Sequence, residues 1–306
     1  MRDLTGAGAA APAPFSRHER YSDPMTSSTE NKIPYQAEYW NDEGGNRWLR
    51  NLAWLEIMLA PLGDAMLKHA AVKPGEAILD VGCGGGKLSS RLAAAVGAQG
   101  SVLAVDVSAM LIERARLDFG NTPALAFQLA DAATAHLGST RFDLVCSRFG
   151  VMFFADPVAA FMNIAQSMKP GGRLVFVCWQ GKDRNPWMYE PASAAFEHVP
   201  APPPPAPEDP GPFSYGDAGR VRSILNAAGL NGINIDPMTG LLNMGTLDHA
   251  LELVSTMGPA AQPLAEAVPD ARARAIAAIR TVLAARGTPD GVQMPYATWI
   301  VSANKQ

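Results

Sequence analysis

The feature that most constrains this chain is a run of glycines that directly follows a predicted buried strand. Residues 77–81 read Ala-Ile-Leu-Asp-Val, and four of the next five residues are glycine, interrupted only by Cys83. A strand that ends in glycines and opens a helix lets backbone N–H groups approach a ligand closely, as at the crevice of doubly wound sheets. A helical pattern at 87–96 follows at once. The segment therefore predicts a ligand-binding loop at the carboxyl end of a strand.

Predicted strands and helices alternate beyond this loop. Two helices are predicted between Ile33 and Ala70, before the first strand. The further strands are predicted at 101–107, 124–129, 142–147 and 173–179, with helices at 109–119 and 156–168 and a short one after residue 129. This alternation is typical of a parallel sheet covered on both faces. The predicted fold class is α/β: a Rossmann-like, doubly wound, mostly parallel seven-stranded sheet.

The remaining segments are predicted to surround this sheet. Residues 199–212 contain eight prolines, which excludes a helix or a central strand. Helices are predicted at 218–228, 246–257 and 270–286, and strands at 233–242 and 297–303. The expected division is a disordered tail at 1–30, cap helices at 31–70, a ligand-binding core at 71–180, lid insertions with the sixth strand at 181–296, and the last strand at 297–306. The sequence leaves open whether translation starts at Met1 or Met25.

The amino-acid composition disfavours several classes of binding partner. The 25 Lys and Arg residues nearly balance the 29 Asp and Glu residues, and the net charge of −4 gives no basic footprint for nucleic acid. No apolar run approaches the length that spans a bilayer. The three cysteines are far apart, so they predict reduced structural thiols in a cytoplasmic protein, without a metal site.

The spacing of the glycines excludes two common phosphate-binding loops. A dinucleotide fingerprint, G-x-G-x-x-G, would place its third glycine at Lys87, which is too bulky for close helix packing. A P-loop requires Gly-Lys followed by Ser or Thr, but Leu88 stands there. A nicotinamide-dependent oxidoreductase is therefore the disfavoured alternative. The remaining pattern has an acid at Asp80 and then glycine at every second position, 82, 84 and 86.

This pattern resembles the first motif of the class I S-adenosylmethionine-dependent methyltransferases. Further segments match that family in order: Asp106-Val107-Ser108-x-Met110-Leu111, Asp131-Ala132, Phe142-Asp143-Leu144-Val145 with Ser147, and Met168-Lys-Pro-Gly-Gly-Arg-Leu174. The order of elements resembles the type 11-like group, which includes methyltransferases of ubiquinone, menaquinone and secondary-metabolite pathways. Position 147–150 reads Ser-Arg-Phe-Gly, unlike the Asn/Asp-Pro-Pro-aromatic motif of enzymes that methylate amino groups of nucleic acids.

The resemblance implies S-adenosyl-L-methionine as cofactor and a role for each matching residue. Asp106 would hold the ribose hydroxyls, and Asp80 would face the methionine end. Val107 and Met110 would pack on the adenine faces, next to Asp131. The implied cofactor-binding residues are Asp80, Gly82, Gly84, Gly86, Asp106, Val107, Met110, Asp131, Ala132 and Ser147.

The acceptor is expected to be a small, largely apolar metabolite that is methylated at carbon, oxygen or nitrogen. Its predicted pocket residues are Tyr35, Tyr39, Trp40, Arg148, Phe149, Met152, Trp179 and Trp187. We expect one of Phe153 and Phe154 to be buried in the core instead. Anionic groups of an acceptor would be oriented by arginines, for which Arg47, Arg50, Arg148 and Arg184 are candidates.

No catalytic residue is assigned, because methyl transfer mainly requires alignment of the reactants and exclusion of water. The candidate general bases are His198 and His249. We expect a monomer or a homodimer. A non-catalytic protein that keeps the cofactor-binding fold is the remaining alternative.

Overall fold

The computed structural model of the chain describes residues 36–206 and 208–306. The predicted tail at 1–30 and the pocket residue Tyr35 lie outside these residues. The helices are α1 (Gln36–Asn41), α2 (Glu43–Met58), α3 (Ala60–Ala70), α4 (Lys87–Val96), α5 (Ala109–Phe119), α6 (Pro157–Ser167), α7 (Pro186–Ala195), α8 (Ala218–Ala227), α9 (Leu247–Thr256), α10 (Ala261–Glu266) and α11 (Pro269–Ala284). The strands are β1 (Ala77–Val81), β2 (Ser101–Asp106), β3 (Leu125–Leu129), β4 (Phe142–Arg148), β5 (Met168–Trp179), β6 (Leu230–Asn243), β7 (Gly287–Thr288) and β8 (Gly291–Lys305).

The strands form one sheet in the order β3-β2-β1-β4-β5-β8-β6, and the two-residue β7 pairs with β8. Strands β1 to β5 pair in parallel, whereas β8 is antiparallel to both of its neighbours. The strand order reverses between β1 and β4, which is where doubly wound sheets open a crevice for ligands. The predicted fold class, a mostly parallel α/β sheet with flanking helices, is confirmed.

Buried strands run through the middle of this sheet. The last four residues of β1 and the apolar residues of β4 are buried, as expected for strands covered on both faces. The three cysteines lie in or beside these strands, free and buried, as predicted for structural thiols. Burial raises the pKa of Cys83, Cys146 and Cys178, which keeps all three as thiols. Within the described ranges no helix has the length and apolar character needed to cross a bilayer.

The structure corrects the predicted elements before β4 in two places. Three helices, not two, precede β1 in the described residues, because the long apolar pattern is divided at Leu59. Pro61, in the first turn of α3, has no N–H with which to continue the ladder of α2. The short helix predicted after residue 129 is wrong, since the connection to β4 consists of turns with positive φ at Gly138 and Thr140.

Three strands are longer than predicted. β5 begins at Met168 instead of Arg173, and β6 extends from Leu230 to Asn243. The last strand begins at Gly291 instead of Ala297, because β6 and β8 continue to pair beyond the end of β5. Helices α7 and α10 were not predicted. The long β6–β8 pair therefore extends the carboxyl edge of the sheet, next to the site described below.

Candidate functional site

The glycine loop after β1 is shaped by close packing on one side and open on the other. Gly82 has a φ of +68°, and an added Cβ would lie 2.7 Å from the Cα of Gly150 in the loop after β4. Gly84 also has a positive φ, but the nearest atom to its added Cβ is the Trp48 Nε1, at 3.8 Å. A side chain is thus excluded at Gly82 by the fold itself. At Gly84 there is space beside the backbone for a ligand to approach.

Asp106 connects the end of β2 to this loop. The backbone N–H of Gly84 donates to its Oδ2 at 2.8 Å, and that of Ser108 donates to its Oδ1 at 2.9 Å. Burial raises the pKa of Asp106, while these backbone hydrogen bonds oppose the rise. Each carboxylate oxygen can accept a further hydrogen bond. The predicted ribose-binding acid and the glycine loop are therefore adjacent.

Asp80, the acid before the glycines, is almost completely buried. The Ser89 hydroxyl donates to its Oδ2 at 2.6 Å, whereas its Oδ1 has no hydrogen-bond partner among the described residues. Burial raises the pKa of Asp80 to about 6, against the lowering effects of Ser89 and Arg148. A buried carboxylate oxygen without a donor is costly. Asp80 therefore suits a site where a ligand, or a group that a ligand orders, supplies a donor.

The turn after β3 holds the third predicted cofactor element. The Ala133 N–H donates to the Asp131 Oδ1 at 2.9 Å, which shapes the turn. Asn163 of α6 donates from Nδ2 to the carbonyl oxygens of Ala132 and Ala135, both at 2.9 Å. Sequence reasoning missed Asn163, because nothing in its own helix indicates this contact.

Ser147 was predicted to bind the cofactor, but its hydroxyl is fully used within the fold. It donates to the carbonyl oxygen of Val81 at 2.8 Å and accepts from the N–H groups of Gly150 and Val151 at 3.2 and 3.3 Å. The side chain fixes the loop after β4 against the end of β1, and a contact of Ser147 with the cofactor stays a prediction. That loop includes Gly150, whose contact with Gly82 was not predicted either.

Cap helices α1 and α2 pack over the loops. Trp40 makes edge-on contacts with Trp48 and with Phe153, at centroid distances of 5.9 and 5.2 Å. Leu52 lies against Gly85, where an added Cβ would be 2.6 Å from its Cδ2. Tyr39 borders Trp40 and is 40% exposed. The cap therefore contacts both the glycine loop and the loop after β4.

A buried ion pair joins the cap to β4. The Arg148 Nη2 lies 2.5 Å from the Glu56 Oε1, with the two side chains 11% and 15% exposed. Arg148 was predicted to contact an acceptor, but it is already paired with α2. Arg47 is paired with Glu43 one turn earlier in α2, where Glu43 is exposed. Two of the four arginines that were candidates for orienting an anionic acceptor are thus engaged within the protein.

Aromatic side chains gather where β4, β5 and β8 meet the carboxyl edge. Phe149, with a φ of +68°, stacks on Trp179 at 4.3 Å, and Trp187 lies 5.0 Å from Trp179. Tyr296 contacts Trp179 edge-on at 6.4 Å. We call these four residues the aromatic cluster. Tyr296 also lines a groove of about 420 Å³, together with Arg184 and residues of β6.

The other predicted acceptor and catalytic residues are placed elsewhere. Met152 is buried in the core. Phe154 packs edge-on against Phe161 and Phe153 against Trp40 of the cap, but both are only partly buried, so neither is the core residue expected of that pair. The His249 ring lies 5.3 Å from that of Trp54 in α2, at a tilted angle of 34°. In the described structure no hydrogen bond or ring contact joins His249, or His198 beyond α7, to the aromatic cluster. Among residues 36–206 and 208–306 no group of side chains could hold a metal ion.

Comparison with known proteins gives a consistent result. Residues 79–176 match the family described as a methyltransferase domain. A stretch of 118 residues is 32% identical to aklanonic acid methyltransferase DauC of Streptomyces sp. (strain C5), covering 38% of this chain and 54% of DauC. Another of 172 residues is 32% identical to O-methyltransferase cnsE of Penicillium expansum, covering 54% and 58%. The chain thus matches just over half the length of either relative.

The fold agrees with this match. Phosphoethanolamine N-methyltransferase 2 of Haemonchus contortus, solved in complex with S-adenosyl-L-methionine, superposes with a TM-score of 0.56 at 15% identity. The superposition covers 90% of this chain and 60% of that one. This similarity concerns the fold alone. The family match and the relatives indicate a methyltransferase domain. Over residues 79–176 the chain is therefore similar to the class I S-adenosylmethionine-dependent methyltransferases of the type 11 group.

Proposed function

We propose that the whole chain is a methyltransferase that transfers the methyl group of S-adenosylmethionine to a small, largely apolar metabolite. The observation that carries this proposal is the contact between Asp106 and the N–H of Gly84, beside open space. Because the carboxylate contacts the glycine loop, one ligand can meet both its hydrogen-bond acceptors and a stretch of backbone without side chains. This combination suits a nucleoside with free ribose hydroxyls.

In this proposal the residues around the loop bind and orient the cofactor. Asp106 accepts from the ribose hydroxyls, and Val107 and Met110 contact the adenine beside the turn of Asp131 and Ala132. Asp80 precedes Gly82, Gly84 and Gly86 in the chain. Its unpartnered Oδ1 favours the cationic methionine end of the cofactor at this loop. S-adenosylmethionine supplies a methyl group activated by its sulfonium. The positive charge disperses during transfer, so the protein mainly has to align the reactants and exclude water.

The acceptor is proposed to bind at the aromatic cluster. Phe149 and Trp179 are buried and stack on each other next to β4 and β5, and Trp187 lies beside Trp179 as the more exposed face. The cap side chains Tyr39 and Trp40 are further candidates for contact with the acceptor. Aromatic surfaces of this kind favour an apolar or aromatic acceptor. The relative DauC is named as a methyltransferase of aklanonic acid, an organic acid, which also supports a metabolite as acceptor. The acceptor atom, carbon, oxygen or nitrogen, is left open.

Cofactor binding is the first test. Calorimetry should show binding of S-adenosylmethionine and S-adenosylhomocysteine, but not of NADH. Asp106→Ala should weaken that binding roughly tenfold to a hundredfold, because a charged hydrogen-bond partner contributes about 1.5 to 3 kcal/mol. Asp118→Ala is the matched control, since Asp118 is an acid of α5 that pairs with Arg114. Unchanged affinity in Asp106→Ala would refute the ribose assignment.

Turnover is the second test. The protein should transfer a labelled methyl group to at least one member of a panel of small aromatic and apolar metabolites. Binding of the cofactor without turnover on any acceptor would favour the alternative, a non-catalytic cofactor-binding protein. Binding of NADH in place of S-adenosylmethionine would favour an oxidoreductase and contradict the proposal.

A further inference from the structure

Asn41, the last residue of α1, is hydrogen-bonded to a turn that lies far from it in the sequence. Its Nδ2 donates to the carbonyl oxygens of Ala37 and Val107, both at 2.7 Å. Its Oδ1 accepts from the N–H of Ala109, also at 2.7 Å. Both amide hydrogens and the amide oxygen are therefore used. Only a planar amide of this length offers donor and acceptor side by side.

The turn that Asn41 binds is the one that follows Asp106. The bonds to Val107 and Ala109 lie on either side of Ser108, whose own N–H donates to the Asp106 Oδ1. Ala109 is the first residue of α5, where a backbone N–H has no partner within the helix. Asn41 thus supplies from the cap a hydrogen bond that α5 cannot provide for itself.

We propose that Asn41 is a positioning residue of the adenosine subsite. It holds the 107–109 turn in the shape that lets Asp106 and Val107 meet the ribose and the adenine. This inference rests on the proposed function, since it concerns the binding of the same cofactor. Both amide hydrogens and the amide oxygen of Asn41 are used by backbone groups, so it acts through the turn.

The expected effect is on affinity for anything that contains the adenosine group. Without Asn41 the turn can adopt other shapes, and the ligand must then order it on binding, which lowers the apparent affinity. If about a tenth of the molecules keep the competent turn, the dissociation constant rises about tenfold. The melting temperature should change little, because the side chain is exposed and its bonds lie at the surface.

The experiment compares three variants with the wild-type chain. Asn41→Ala removes all three bonds, and Asn41→Asp keeps only the acceptor for the Ala109 N–H. Asn46→Ala is the matched control, because Asn46 is an exposed amide in α2 that donates only to Asp42 of its own helical turn. Calorimetry measures the dissociation constants of S-adenosylhomocysteine and of 5′-methylthioadenosine, which keeps the adenosine but lacks the amino-acid end. Thermal melting is recorded for each variant.

We expect both ligands to bind Asn41→Ala about tenfold more weakly, Asn41→Asp to be intermediate, and Asn46→Ala to match the wild type. Affinity within about twofold of wild type in Asn41→Ala overturns the inference, and so does an equal loss in Asn46→Ala. A loss for S-adenosylhomocysteine alone also overturns it, because the adenosine subsite is then unaffected. If Asn41→Ala does not fold, Asn41→Asp decides by the same criteria. A wild-type chain that binds neither ligand refutes the proposed function, and this inference with it.

Discussion

Asp80 should make the stability of the fold depend on pH near neutrality. Its side chain is 1% exposed, its Oδ1 has no partner in the described residues, and burial raises its pKa from 3.8 to about 6. A carboxyl group with a higher pKa in the folded state binds more protons there than in the unfolded state. Stability is therefore lost as the pH rises from the unfolded pKa through the folded one.

The size of the effect follows from these two pKa values. A difference of about two pH units corresponds to about 3 kcal/mol, which is the amount by which ionised Asp80 opposes folding above pH 7. About half of this cost is already present near pH 5, because the unfolded chain ionises first. The free energy of unfolding should thus lose about 1.5 kcal/mol through Asp80 between about pH 5 and pH 8.

The perturbation is Asp80→Asn, which removes the charge and keeps the shape. Its amide can still accept from Ser89, and any cost of burying the amide is the same at every pH. Urea unfolding of the free protein at a series of pH values gives the free energies. Relative to the wild type, the free energy of unfolding of the variant should rise by about 1.5 kcal/mol between about pH 5 and pH 8, and this difference should level off above pH 7.

Asp143→Asn is the matched control on the neighbouring strand. Burial tends to raise the pKa of Asp143, but the hydrogen bond from Lys169, the N–H of Ala77 and the Lys169 charge together lower it. The stability that it contributes is present above its unfolded pKa and is lost only in acid, so its difference from wild type should be flat over this range. A flat difference for Asp80→Asn as well would refute the buried-carboxylate argument.

Two further changes test contacts that hold the site together. Gly150→Ala should lower the melting temperature and weaken cofactor binding, because its Cβ would lie 2.7 Å from the Val81 carbonyl oxygen. The added Cβ of Gly171→Ala meets open space, so cofactor binding should be unchanged, and a larger loss of cofactor affinity there than in Gly150→Ala would contradict this. Arg148→Met should cost about 3 kcal/mol in urea unfolding by leaving Glu56 buried without its partner, and adding Glu56→Gln should recover part of it. No recovery in the double variant would show that the two side chains do not act as a pair.

The regular elements around the glycine loop were predicted well. Helices α4 and α5 occupy the predicted residues, and β1 does as well. These elements are specified by apolar periodicity and by residues at their own ends, such as Ser108 before α5 and Asp156 before α6. The C-terminal part was predicted less well, because pairing between β6 and β8 extends both strands past Pro295, which locally indicates a break.

The sequence by itself determined the alternation of strands and helices from β1 to α5, the glycine loop and the acids at the strand ends. Each of these depends on residues within a few positions of one another. Only the tertiary structure decided which partners the polar side chains take: Glu56 for Arg148, the Val81 carbonyl for Ser147, and the 107–109 turn for Asn41. Those partners lie 66 to 92 residues apart in the chain. A side chain for which the sequence indicates no partner can therefore have all its hydrogen bonds or its ion pair within the protein, once packing brings distant strand ends together.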